Sequence, residues 1–138
     1  MITGYTAGVF DLFHIGHVNI LRNARALCDR LIVGVTVDEL VRYKNKTAVI
    51  PYVERIEIVR ACRYVDAAVS QTEIDKFSAW ERLKFDVLFV GDDWHGSKQW
   101  KEYESKLNDV GARVIYLPYT GATSSTTLKD TLSRINGR

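Results

Sequence analysis

The feature that most constrains the fold is the alternation of short apolar runs with segments of helical period along the chain. Apolar runs bounded by turn residues predict strands over 5–10, 31–37, 66–69, 86–90 and 112–117. Apolar residues at helical spacing predict helices over 18–28, 53–64, 74–84, 98–110 and 125–135. This order predicts an α/β protein whose five-stranded parallel sheet carries helices on both faces, joined by right-handed crossovers.

Length and charge narrow the class of protein further. At 138 residues the chain has the size of one domain, which we expect to span 1–138. Its net charge of +2 is too small to indicate a nucleic acid or an anionic membrane as a partner. No apolar run approaches the roughly 20 residues that span a bilayer, and no secretion signal is evident. Cys28 and Cys62 form no metal-binding or disulfide pattern, so we expect reduced core residues and a cytoplasmic protein.

The predicted sheet also locates the functional site. In parallel α/β sheets, ligands bind beyond the carboxyl ends of the strands. The segments that follow the predicted strands should therefore line the site, namely 11–17, 38–46, 91–96 and 119–127.

The first of these segments carries the strongest chemical signal. Gly8-Val9-Phe10-Asp11 ends the first predicted strand, and His14-Ile15-Gly16-His17 opens the helix after it. Two histidines three residues apart face the same side of a helix start, where free N–H groups and the helix dipole already favour phosphate. Gly16 lets the backbone approach a ligand closely. A lone histidine is usually an ordinary surface or core residue, but this pair around a glycine predicts a phosphate site.

This stretch resembles the HxGH signature of the cytidylyltransferase-like nucleotidyltransferases, whose fuller form is G-x-F-D-x-x-H-x-G-H. The resemblance continues through Arg63-Tyr64-Val65-Asp66, Gly91-Asp92-Asp93-Trp94 and Ser125-Thr126-Thr127. It is strongest to the bacterial glycerol-3-phosphate cytidylyltransferase branch of the family. It implies a Rossmann-like fold, transfer of CMP from CTP to a small phosphorylated alcohol, release of pyrophosphate, a need for Mg²⁺ and a homodimer.

The resemblance also implies roles for individual residues. His14 and His17 would donate hydrogen bonds to the triphosphate as negative charge grows in the transition state, with Lys46 as a further catalytic group. The nucleotide-binding residues would be Val9, Phe10, Asp11, His14, Gly16, His17, Arg63, Gly91, Asp92, Asp93, Ser125, Thr126 and Thr127. The acceptor-binding residues would be Lys44, Lys46, Arg55 and Lys76. No side chain is assigned as a metal ligand.

Two departures from the family pattern leave the specificity open. Val9 stands where a hydroxyl residue is common. The segment 118–124 replaces the usual R-T-x-G approach to S-T-T, with an extra residue and no arginine. Because that loop borders the nucleotide, an adenylyltransferase for a sugar phosphate such as heptose 1-phosphate is an alternative.

Two alternatives come from other functional classes. Asp11, His14 and His17 could hold a metal in a hydrolase, although a third or fourth fixed zinc ligand is not evident. The domain could also bind nucleotide without turnover, because a fold alone does not establish catalysis.

Overall fold

The computed structural model describes residues 1–43, 46–91, 96–118 and 125–135, which contain five strands and six helices. The strands are β1 (Thr3–Gly8), β2 (Arg30–Thr36), β3 (Ala67–Gln71), β4 (Val87–Gly91) and β5 (Arg113–Leu117). The helices are α1 (Ile15–Ala26), α2 (Asp38–Tyr43), α3 (Tyr52–Ala61), α4 (Lys76–Leu83), α5 (Lys98–Asp109) and α6 (Ser125–Ile135). Within this part of the chain, no helix is long and apolar enough to cross a bilayer.

The predicted α/β architecture is confirmed. All strand pairs are parallel, and the spatial order is β3-β2-β1-β4-β5. Strands β2 and β3 follow one another on one side of β1, and β4 and β5 follow one another on its other side. The strand order therefore reverses between β1 and β4, and this reversal creates the crevice in which parallel α/β sheets bind ligands.

Helix α2 was not predicted; its residues were expected only to follow the second strand and to line the site. Asp38 and Glu39 lie in its first turn and Arg42 in its last, an arrangement that complements the helix dipole. Val41 is its buried residue, with 3% of its surface exposed.

The sheet is buried on both faces by two separate apolar layers. On one face, Leu21 of α1 and Val59 of α3 pack with Val33 of β2. On the other face, Leu107 of α5 packs with Leu88 of β4. Successive residues of β2 alternate between the two layers, as the two-residue period of a strand requires. This double burial explains why β2 is an almost continuous apolar run.

The two cysteines agree with the expectation of reduced core residues. Cys28 is buried in the layer beneath α1, and Cys62 is half-buried at the end of α3. Both are free thiols.

Candidate active site

The turn between β1 and α1 has an unusual backbone conformation. Phe10 and Leu12 have φ angles of 54° and 51°, in the left-handed region that residues with a side chain seldom adopt. Each such residue costs on the order of 1–3 kcal/mol and persists only where the surroundings enforce it. Phe10 is held by burial, with 7% of its surface exposed, and its ring packs against His17. The turn fixes the point at which α1 begins.

The two histidines cap the start of α1 in a defined orientation. The backbone N–H of Gly16 donates to His14 Nδ1 over 3.0 Å, and the N–H of His14 donates to His17 Nδ1 over 3.1 Å. The ring centroids are 4.0 Å apart. Because each Nδ1 accepts a hydrogen bond, the proton of each neutral ring is on Nε2. Both side chains therefore present a second nitrogen as a donor.

The protonation state of the pair follows from its surroundings. Burial lowers the pKa of His14. Burial and the neighbouring His14 lower the pKa of His17 to about 4, although Asp11 opposes the change. Both rings are therefore neutral at pH 7, and they act as oriented hydrogen-bond donors, not as cations. Fixed donors of this kind stabilise negative charge that develops on a ligand during reaction.

A cavity of about 440 Å³ opens beside His17, across the carboxyl ends of β1 to β4. Among the described residues of its wall, the charged side chains are Lys46, which precedes α3, and Lys76, which begins α4. Its uncharged polar side chains are Thr6, Thr36, Gln71, Gln99 and Tyr103. Its larger apolar side chains are Phe10, Ile20, Ile74, Leu88, Phe89 and Trp100. The cavity thus combines two cations, several hydrogen-bonding groups and an apolar wall.

The structure brings many of the predicted site residues to this cavity. Those on its wall are Val9, Phe10, His17, Lys46, Lys76 and Gly91. His14 and Gly16 lie beside them at the start of α1. Lys44, Asp92 and Asp93 lie outside the described residues, as do the side chains of Ser125, Thr126 and Thr127, although α6 begins at Ser125. The ligand contacts of all these residues remain predictions.

Asp11 was predicted to contact the nucleotide, whereas the structure shows its carboxylate bound to groups of its own chain. Its carboxylate is 3% exposed and accepts the backbone N–H groups of Val49 and Ile50 over 2.8 and 2.9 Å. Lys129 of α6 lies 3.1 Å from the same carboxylate and also donates to the carbonyl of Thr47. Burial alone would raise the pKa of Asp11, but these donors outweigh burial and lower it. Asp11 therefore ties the segment before α3 to the β1–α1 turn.

Arg55 was predicted to bind the acceptor, but the structure does not bring its side chain to the cavity. Its side chain is fully buried, so an acceptor in the cavity cannot reach it. The guanidinium donates to the carbonyls of Ile50, Val9 and Thr36 over 2.7–2.8 Å. It also pairs with Asp38 over 2.7 Å. Arg55 thus joins the ends of β1 and β2 to the start of α2.

Arg63 was predicted to bind the nucleotide, but the structure does not bring it to the cavity. It lies between α3 and β3, at the amino end of the sheet, whereas the histidines lie at the carboxyl end. Its guanidinium stacks 5.3 Å from the ring centroid of the neighbouring Tyr64. Its position in a family-like motif had suggested the site, but the direction of β3 places it at the opposite end.

The sequence interpretation missed several residues on the cavity wall. Thr36 and Gln71 end β2 and β3, at the carboxyl edge of the sheet, and both line the cavity. Gln71 was missed because β3 was predicted to end at residue 69. Trp100 and Tyr103 come from α5, and their rings meet edge to face. Their three-residue spacing on one helix face was an available signal.

Comparison with known proteins shows the family of this chain. A model of the cytidylyltransferase-like family matches residues 5–131. Glycerol-3-phosphate cytidylyltransferase of Bacillus subtilis is 34% identical over 135 residues, covering 93% of this chain and 95% of the relative. FAD synthase of Archaeoglobus fulgidus is 38% identical over 108 residues, covering 78% of each chain.

A solved structure extends the similarity. The lipopolysaccharide core biosynthesis protein from Thermoplasma volcanium superposes with a TM-score of 0.73 at 28% identity, over 87% of this chain and 97% of that one. The strained turn, the capped histidine pair and the cavity therefore occur in a chain that the family model covers almost from end to end. The chain belongs to the cytidylyltransferase-like family of nucleotidyltransferases.

Proposed function

We propose that this protein transfers CMP from CTP to glycerol 3-phosphate, or to a similar small phosphorylated alcohol. An oxygen of the acceptor phosphate bonds to the α-phosphorus of CTP. The bond from that phosphorus to the bridging oxygen breaks, and pyrophosphate leaves with the electron pair. The products are a CDP-alcohol and pyrophosphate. Such a reaction needs little covalent help from the protein, but it depends on positioning and charge stabilisation.

The capped histidine pair is the observation that carries this proposal. Each Nδ1 is held by a backbone N–H group, so the orientation of both rings is fixed before a ligand binds. The Nε2 donors of His14 and His17 suit the oxygens on which negative charge grows as the α-phosphorus becomes five-coordinate. A donor fixed in this way is typically responsible for a rate factor of about 100 to 1,000.

The two lysines of the cavity support a phosphorylated acceptor. Lys46 and Lys76 project from different elements onto the same wall, and both supply a positive charge that phosphate can offset. The choice of CTP and a small alcohol is supported by the Bacillus subtilis relative, because that similarity extends over nearly the full length of both chains.

The donor chemistry of the site is compatible with Mg²⁺ carried by the triphosphate. In the described residues, no three His, Cys, Asp or Glu side chains form a group that could hold a metal ion. Nucleotide enzymes often bind Mg²⁺ mainly through phosphate oxygens and water, without a protein cage. The ion would offset triphosphate charge that two lysines cannot balance. The hydrolase alternative loses support because both Nδ1 atoms accept backbone N–H groups, which leaves the proton of each neutral ring on Nε2 and no ring nitrogen free for a metal.

Two further parts of the proposal come from the family resemblance and the composition. We expect the working form to be a homodimer, as the resemblance implies. We expect it to act in the cytoplasm, where free thiols such as those of Cys28 and Cys62 stay reduced.

A second candidate is the transfer of AMP from ATP to FMN, which would make FAD. The observation that favours it is the apolar wall of the cavity, where Trp100 and Tyr103 could contact a flat ring system. The similarity to an FAD synthase points the same way. The cavity lysines would suit FMN as well, because it also carries a phosphate.

Pyrophosphate release with matched substrate pairs separates the candidates. CTP and ATP are each combined with glycerol 3-phosphate, heptose 1-phosphate, phosphoethanolamine and FMN, and kcat/KM is measured for each pair. We expect CTP with glycerol 3-phosphate to exceed every other pair by at least about tenfold, a difference near 1.4 kcal/mol. A preference for ATP with FMN would replace the main proposal with the second candidate. His17→Ala is the control for background hydrolysis.

A further inference from the structure

Gln71 occupies an unusual position at the end of the edge strand β3. Its side chain lines the cavity, yet only 3% of its surface is exposed. Its backbone is fixed, because its carbonyl accepts the N–H of Val37 over 3.1 Å. Its ladder partner in β2 is Thr36, which also lines the cavity and is 1% exposed. The two polar side chains therefore form a buried pair in the cavity wall.

The hydrogen bonds of this pair leave one group open to the cavity. The hydroxyl of Thr36 donates to Gln71 Oε1 over 2.6 Å, which fixes the orientation of the amide. Among the described residues, this is the only hydrogen bond of the Gln71 side chain. The Nε2 amide nitrogen carries two donors. Because Gln71 lines the cavity, these donors are accessible to water or to a ligand oxygen there.

The surrounding charges indicate which kind of ligand oxygen accepts a hydrogen bond from Gln71 Nε2. Lys46 and Lys76 lie on the same wall and are the stronger partners for a doubly charged phosphate. With the phosphate bound by the two lysines, the Gln71 amide is left for a neutral oxygen next to it, such as a hydroxyl. The same arrangement of two ammonium groups and N–H donors opposes a positively charged head group such as that of choline phosphate.

We propose that the Thr36–Gln71 pair is a specificity subsite that recognises a hydroxyl of the phosphorylated acceptor. Thr36 holds the amide, and Gln71 Nε2 donates to the hydroxyl oxygen. The inference deepens the proposed function and rests on it for the role of the cavity as the acceptor site. The subsite favours binding of polyol phosphates over phosphates that lack a hydroxyl.

A pair of ligands that differ only in hydroxyl groups tests the subsite. Glycerol 3-phosphate and n-propyl phosphate have the same phosphate and carbon chain. Their dissociation constants for the full chain are measured by calorimetry without nucleotide. We expect the protein to bind glycerol 3-phosphate about tenfold more tightly, and Gln71→Met to reduce this ratio to about twofold by weakening glycerol 3-phosphate alone. Equal binding of the two ligands by the unmodified protein would overturn the proposal.

Gln99→Met is the matched comparison, because it removes the other amide of the cavity, which contacts the Tyr103 hydroxyl. This variant should keep the tenfold ratio. If Gln99→Met removes the ratio and Gln71→Met keeps it, the assignment to Gln71 is wrong. Thermal melting shows whether each variant folds, and Gln71→Leu takes the place of Gln71→Met if that variant does not.

The binding assay separates this inference from the proposed reaction. If glycerol 3-phosphate binding depends on Gln71 but no substrate pair releases pyrophosphate, the reaction fails and the subsite stands. If CTP and glycerol 3-phosphate react normally and the ligand ratio does not depend on Gln71, the subsite fails and the reaction stands.

Discussion

Replacing Arg55 with methionine tests whether this buried arginine supports the site or contacts a substrate. Methionine keeps much of the length of the side chain but removes every donor. The carbonyls of Ile50, Val9 and Thr36 then lose the guanidinium, and Asp38 loses its ion-pair partner.

The magnitude follows from the groups left behind. Each buried carbonyl without a partner costs about 1 kcal/mol or more. Asp38 keeps the N–H of Tyr52 and is 33% exposed, so water can solvate much of its charge. Arg55→Met should therefore lower the free energy of unfolding by about 3 kcal/mol, a large part of the 5–15 kcal/mol typical of a domain.

Equilibrium unfolding in urea measures this loss, with Arg60→Met as the matched control. Arg60 lies on the same helix, is half-exposed and pairs with Glu57. An exposed pair of this kind contributes about 0–1 kcal/mol, so the control should scarcely change stability. If the slope of the free energy of unfolding against urea concentration is unchanged in both variants, their folded and unfolded states are comparable with those of the unmodified protein.

Kinetics give the second half of the test. Because Val9 and Thr36 line the cavity, loosening them should raise the KM of nucleotide and acceptor together. The reasoning is refuted if Arg55→Met loses less than about 1 kcal/mol and raises the acceptor KM alone. That result would return Arg55 to the acceptor-binding role that the sequence first suggested.

Three further predictions concern the histidine pair and the metal. His14→Ala and His17→Ala should each lower kcat by about 100- to 1,000-fold with unchanged circular dichroism, and near-normal turnover in either would refute the donor role. Burial lowers the pKa of His17 to about 4 in the folded protein, below the unfolded value near 6.5. The neutral His17 therefore contributes its full share to the free energy of unfolding above pH 6.5, and this contribution is lost as the pH falls toward 4. Between pH 6.5 and pH 4, urea unfolding should show the free energy of unfolding of the unmodified protein falling by an amount on the order of 2–3 kcal/mol that His17→Gln does not lose. An equal fall in His17→Gln would contradict the pKa assignment. EDTA should abolish pyrophosphate release and excess Mg²⁺ should restore it, whereas full turnover in EDTA would exclude the metal requirement.

The sequence predicted the sheet and the histidine pair because both signals are local. The apolar run of β2 reports its burial directly, and His14 and His17 depend only on the start of one helix. Neither requires knowledge of which distant segments meet. The parallel arrangement of the strands then followed from the rules that govern alternating strands and helices.

The roles of Asp11 and Arg55 were less accessible, because each depends on contacts between distant segments. Asp11 and Arg55 look like ligand-binding residues in the sequence, since both are charged and close to a phosphate-binding motif. Their partners are backbone groups as many as 39 and 46 residues away, and a backbone group has no sequence signature. Gln71 was missed for a related reason, because its place in the cavity depends on two residues of strand length.

The strained turn at Phe10 and Leu12 has a consequence for selection experiments. Two left-handed residues lower the thermal stability of the whole protein in order to fix the point at which α1 begins. Glycine adopts this conformation without the steric cost, although it gives the unfolded chain more freedom. A library selected only for heat resistance should therefore accept Leu12→Gly readily. A library selected for turnover should instead keep a residue with a side chain at this position. Heat resistance and catalytic rate are thus expected to compete at this turn.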